Sequence, residues 1–162
     1  MATITKKNAH NSPDPGFGGT AYGNLFTLAF AFATNASGYF LDSDKPAGAV
    51  GNGDKVILGK IPAGTKLIDM YCYVSDAFQG SSTATIGFEY CDGTDDTAVP
   101  EDDDFFCAAA TIAATGIIKK TNVTPPVTLP KDAYLILTNA GAAQAGAGIL
   151  NIEVIGQIGG PR

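Results

Sequence analysis

In Leu25-Phe26-Thr27-Leu28-Ala29-Phe30-Ala31-Phe32 a large apolar residue recurs at every second position, with Thr27, Ala29 and Ala31 between. Side chains of an extended strand point alternately to opposite faces, so a period of two predicts a strand with one apolar face. Downstream the rule repeats. Residues 55–61 predict a second strand, and residues 66–75 a third, with Ile68, Met70, Cys72 and Val74 inward and Asp69, Tyr71 and Tyr73 on the other face. Residues 83–91 alternate again through Ala84, Ile86, Phe88 and Tyr90. Residues 116–120, 127–129 and 134–138 predict shorter strands. Residues 148–158 predict the last, with Leu150, Ile152, Val154 and Ile158 on one face and Asn151, Glu153 and Gln157 on the other. The alanine-rich residues 105–115 fit a short helix or a strand.

Turn chemistry separates these runs. Gly51-Asn52-Gly53-Asp54 is a turn signal, and Pro62-Ala63-Gly64-Thr65 predicts a tight turn. In the latter, proline presets φ at the first turn position and glycine accepts a positive φ. About eight short strands with regular turns predict an all-β fold, a β-sandwich of jelly-roll-like connectivity.

Residues 1–22 follow no such rule. Pro13, Pro15, Gly16, Gly18 and Gly19 exclude a helix or a central strand there, because proline removes a donor and glycine enlarges the unfolded ensemble. The expected organisation is an extended N-terminal arm over residues 1–22 and a β-sandwich domain over residues 23–162.

Composition narrows the function classes. The chain has 162 residues, 45% of them apolar, which is enough for one core. Charged residues make up only 16%, a low-charge exterior that suits partner coverage or an antiparallel sandwich. A net charge of −6, with Lys6-Lys7 and Lys119-Lys120 as the basic pairs, argues against nucleic acid as a partner. No apolar stretch reaches the roughly 18 residues of a membrane helix, and the first seven residues lack a signal-peptide apolar region. No membrane partner and no export by that route are expected. Cys72, Cys91 and Cys107 show no CxxC spacing and are expected as reduced thiols.

No catalytic constellation emerges, and no enzyme is expected. His10 falls in the arm, where a general base cannot be held against a nucleophile. Gly16, Gly18 and Gly19 follow no strand and open no helix, so they make no nucleotide loop and no cofactor is expected. Asp92, Asp95, Asp96, Glu101, Asp102, Asp103 and Asp104 form the one charge cluster. It could offer oxygens to a hard cation, but its spacing is not that of an EF-hand. The other reading is a solvated turn, and no metal site is assigned. Tyr71 and Tyr73 point together away from the core pattern. They could anchor an interface or a sugar, or lie beneath a second layer or a loop.

Two segments carry a family resemblance. Residues 54–68 have the form strand, Ile-Pro-Ala-Gly-Thr, strand. Thr85-Ile86-Gly87-Phe88-Glu89-Tyr90 then leads through the acidic loop into Phe105-Phe106. This order resembles the capsid cement, or decoration, proteins of tailed bacteriophages, over about a third of the chain. The resemblance implies a virion structural protein made in the host cytoplasm and placed on the capsid exterior. It implies a homo-oligomer, dimer or trimer, that binds the major capsid protein and staples its neighbours. Ile4, Phe17 and Tyr22 would then be apolar anchors of the arm, with Tyr71 and Tyr73 as further partner contacts. The alternatives are a tail or fibre-associated β-module binding a carbohydrate or receptor, and a small enzyme on a β-scaffold.

Overall fold

The computed structural model describes residues 3–5, 25–44 and 48–158. Ten strands follow in order: β1 Thr3–Thr5, β2 Leu25–Thr34, β3 Lys55–Ile61, β4 Thr65–Asp76, β5 Thr83–Tyr90, β6 Asp102–Thr111, β7 Gly116–Lys119, β8 Val127–Thr128, β9 Ala133–Ala140 and β10 Gly148–Ile158. No helix occurs among the described residues, so the open choice at residues 105–115 resolves as strand β6.

The strands form two sheets, one ordered β1-β3-β9-β5-β6 and the other β2-β10-β4-β7, with β8 also paired to β4. The antiparallel pairs reveal the winding: β2 with β10, β3 with β9, β4 with β7, and β5 with β6. With β1 set aside, first pairs with last, second with second-last, and so on inward, β4 taking both β7 and β8. That is one long hairpin rolled into two sheets, the jelly-roll connectivity expected from the strand count.

The inward faces meet in one core that includes Phe32, Leu58, Ile61, Leu67, Met70, Phe88, Phe106, Leu135, Leu150 and Ile152. Phe32 stacks on Phe78 at 5.1 Å between ring centroids, and Phe105 meets Phe106 edge-on at 4.9 Å. Burying a large apolar side chain contributes about 1.5–3 kcal/mol, so this core is the main source of stability.

Two bulges change the face assignments made from alternation. Between Ile155 and Gly156 of β10 the register with β4 slips, so that Asp69 opposes Ile155 while Leu67 opposes Gly156. Ile68 is the residue skipped. Leu67 is therefore fully buried and Ile68 only half-buried. Ile158 keeps the phase of Leu150, Ile152 and Val154 but, as the last residue of β10, is exposed rather than inward. The β5–β6 pairing also breaks, running from Ile86–Cys107 to Phe88–Asp102. Residues Phe105, Phe106 and Cys107 are consequently buried in succession, against any period of two.

The N-terminal segment contributes β1, which pairs in parallel with β3 through Ile4 and Val56. Ile4 is only 8% exposed and joins the main core. Its expected role as an anchor on a neighbour is corrected here: the side chain packs inside its own sandwich, because β3 offers an open edge beside a buried apolar row. The predicted turn at residues 62–65 is present, with the Thr65 N–H donating to the Pro62 carbonyl and Gly64 at φ +79°.

Candidate functional site

The outer face of the β2-β10-β4-β7 sheet gathers exposed side chains in registered rows. In one row Lys119, Tyr71, Glu153 and Ala29 lie side by side across the four strands. In the next stand Ile117, Tyr73, Asn151 and Ala31. Directly opposed residues in antiparallel strands share a face, at about 4.5–5.5 Å between Cβ atoms, so each row is a line of touching or near-touching groups. Tyr73 is 52% exposed and Ile117 70%. The Lys119 ammonium lies 6.0 Å from the Tyr71 ring centroid, at the outer limit of a cation–π contact. A shallow groove of about 330 Å³ runs between these rows, lined by Tyr71, Tyr73, Ile117, Asn151 and Glu153.

This face is what remains when the strands' other side is committed to the core. On β4, Met70, Cys72 and Val74 are buried, and Tyr71 and Tyr73 between them must face out. Tyr71 and Tyr73 therefore stand where alternation places them, with no second layer of the described residues covering them. Phe17 and Tyr22 lie outside the described residues, as does His10. Ile117, Lys119, Ala29 and Ala31 complete the face. Sequence periodicity marks such residues as outward but cannot say which strands are neighbours.

The acidic loop is more ordered than a solvated turn. Asp95 Oδ1 accepts from the N–H groups of Asp96 and Glu101, at 2.8 and 2.7 Å, and Asp96 Oδ1 from those of Ala98 and Val99. Glu101 accepts from the Tyr90 N–H at 2.8 Å, and the Tyr90 hydroxyl donates to the Val99 carbonyl at 2.5 Å. These carboxylates serve as local backbone acceptors. The Thr94 N–H and the Lys131 ammonium beside Asp92 hold its carboxyl below its ordinary range. Burial and the neighbouring Asp104 push Asp102 upward. The three carboxylates Asp102, Asp103 and Asp104 lie within 4.8 Å of one another.

The cysteines are free, Cys72 and Cys107 buried and Cys91 half-buried. Burial, then the nearby Cys107, pushes Cys72 up to about 12, so its thiol stays protonated and inert at neutral pH. Two ion pairs brace the other sheet's outer face, Lys55 with Glu89 and Lys60 with Asp132. There the Lys60 ammonium, then the Ala63 N–H, lowers the Asp132 carboxyl.

No family model matches this sequence, and no curated protein matches it at significance. The fold does match solved structures. A chain of the capsid of Ralstonia phage GP4 superposes with a TM-score of 0.62 at 19% identity, over 99% of this chain and 100% of that one. A chain of the cyanophage Pam1 capsid asymmetric unit gives 0.59 at 13% identity, over 94% and 98%. The jelly-roll seen in the strand pairing is thus a fold shared, end to end, with chains of two phage capsids.

Proposed function

We propose that this protein is a virion structural protein of a tailed phage: a cement protein that binds the outer surface of the capsid as a homo-oligomer and staples neighbouring major capsid proteins. The observation that carries this reading is the end-to-end fold correspondence with a chain of the GP4 capsid. The exposed Tyr71–Tyr73 face supports it, since aromatic side chains on a flat, weakly charged surface are typical anchors of protein contacts. Contacts repeated over a shell act multivalently, so each can be weak. Phe17 and Tyr22 of the arm are proposed as further anchors.

The test is co-sedimentation of the purified chain with empty capsids assembled without it. Saturable binding at a fixed ratio to the major capsid protein is expected. A chain that stays in the supernatant at every concentration overturns the reading.

One observation favours a second reading, a tail-associated module that binds carbohydrate. Asn151 and Glu153 place hydrogen-bonding groups beside Tyr73 and Tyr71, the pairing of ring and polar group that holds a sugar. Binding on a glycan array that is lost in Tyr73→Ala would favour it.

A further inference from the structure

Across its two central rows the outer face of the four-stranded sheet is divided by size. On its β4–β7 half stand Tyr71, Tyr73, Ile117 and Lys119; on its β10–β2 half stand Glu153, Asn151, Ala29 and Ala31. The dividing line falls between β4 and β10, the midline of the four strands. Of the nine large apolar side chains exposed among the described residues, five sit on this face: Leu25, Tyr71, Tyr73, Ile117 and Ile149. Such a concentration marks a surface that is covered in the working assembly.

We propose that a second copy of this chain covers it, through a two-fold axis lying in the interface along that midline. Such an axis exchanges β4 with β10 and β7 with β2 while keeping each row opposite itself, which makes the contact isologous. Tyr71 and Tyr73 of one copy then stand over Glu153 and Asn151 of the other, and Ile117 stands over Ala31. Lys119 stands over Ala29, one strand spacing from the Glu153 carboxylate, so the row's one cation approaches its one anion across the interface. In these two rows the bulky half of each face fills the low half of the other; Leu25 and Ile149, towards the ends of the β10–β2 half, lie outside them. Asp69 meets Ile155, its row neighbour across the midline, instead of its own copy. An axis along β4 itself would set Asp69 on Asp69 and tyrosine on tyrosine, which charge and bulk both disfavour.

The dimensions fit a modest interface. Three strands of 10 to 12 residues and the four-residue β7, about 4.8 Å apart with about 3.3 Å per residue, overlap over roughly 450 Å² of each copy, or roughly 900 Å² in all, the size of a weak specific contact. Two sheets packed in this way lie about 10 Å apart with their strands nearly aligned.

This inference specifies the self-association named in the proposed function and rests on it in that respect, yet its test needs no capsid. The full chain is examined by sedimentation velocity at micromolar concentration, beside Ala31→Lys and Ile117→Glu. Both positions face outward, so both variants should keep the wild-type circular dichroism spectrum. The wild type should be a dimer and each variant alone a monomer. Mixing the two variants should restore a dimer, because the introduced lysine then faces the introduced glutamate. Tyr73→Ala should also shift the protein towards monomer, which keeps the test open if either charged variant misfolds. A monomeric wild type, a dimer that persists in every variant, or folded variants that fail to recombine would each overturn this interface. Failure of capsid binding by a dimer of the predicted behaviour would instead sink only the cement reading.

Discussion

Gly87 shows how tightly single atoms constrain this sandwich. A Cβ built there would stand 2.0 Å from the Asp102 carbonyl oxygen and 2.4 Å from the Asp103 carbonyl carbon. Both belong to backbone at the β5–β6 irregularity, which cannot rotate away as a side chain would. Gly87→Ala should therefore cost about 3 kcal/mol, the upper range for overpacking, as read by urea denaturation. A cost below about 0.5 kcal/mol would mean that the bulge yields freely. Asp102, close by, gives a pH signature. Its folded-state pKa is raised, so the fold disfavours its ionised form, and that penalty operates above the folded pKa and vanishes as pH falls through it. Asp102→Asn should accordingly add a few tenths of a kcal/mol at neutral pH, after allowance for solvent screening, and nothing below about pH 3. Asp132 has the opposite sign: its lowered pKa contributes stability above the ordinary carboxylate value, lost as pH falls through the folded one. Denaturation curves at neutral and acid pH should show Asp132→Asn destabilising only at the former.

At the scale of elements, β1 is the clearest consequence of structure that alternation cannot announce. Three residues are too few for a periodic signal, and the strand exists because β3 supplies a partner edge and Val56 a buried neighbour for Ile4. Ile4→Ala should cost about 2 kcal/mol, the low end for a buried isoleucine because an edge strand relaxes readily. An unchanged denaturation midpoint would show that β1 contributes nothing to the fold. The longer strands are legible: β3 and β10 match the bounds read from the sequence, β10 because one face is buried and the other is not, β3 as an apolar run between turn signals that is buried on both faces. What fails is the phase after a bulge and at a strand end. Ile68 reads as inward because a period of two is carried across a slip that only the strand pairing reveals, and Ile158 because alternation does not mark where the strand end leaves the core. The helix-or-strand choice at residues 105–115 stays open in sequence because alanine favours a helix while threonine and isoleucine favour a strand, and pairing with β5 decides it. The functional face was half legible. Tyr71 and Tyr73 follow from the burial of Met70, Cys72 and Val74, whereas their neighbours Ile117 and Asn151 come from strands far along the chain. Register between distant strands leaves no local trace in sequence.

For the whole molecule, the rolled-hairpin pairing explains why so low a charge content is tolerable. Both sheets direct most of their large apolar residues into one core, and five of the nine exposed large apolar side chains among the described residues stand on one face. The proposed dimer covers that side. The central claim, that it lies on the outside of a capsid and bridges neighbouring subunits, is tested most directly by cryo-electron microscopy of capsids prepared with and without it. The account predicts added density on the outer surface that fits this jelly-roll and spans at least two major capsid proteins. Identical maps, or density confined to the shell's interior or to the tail, would contradict it.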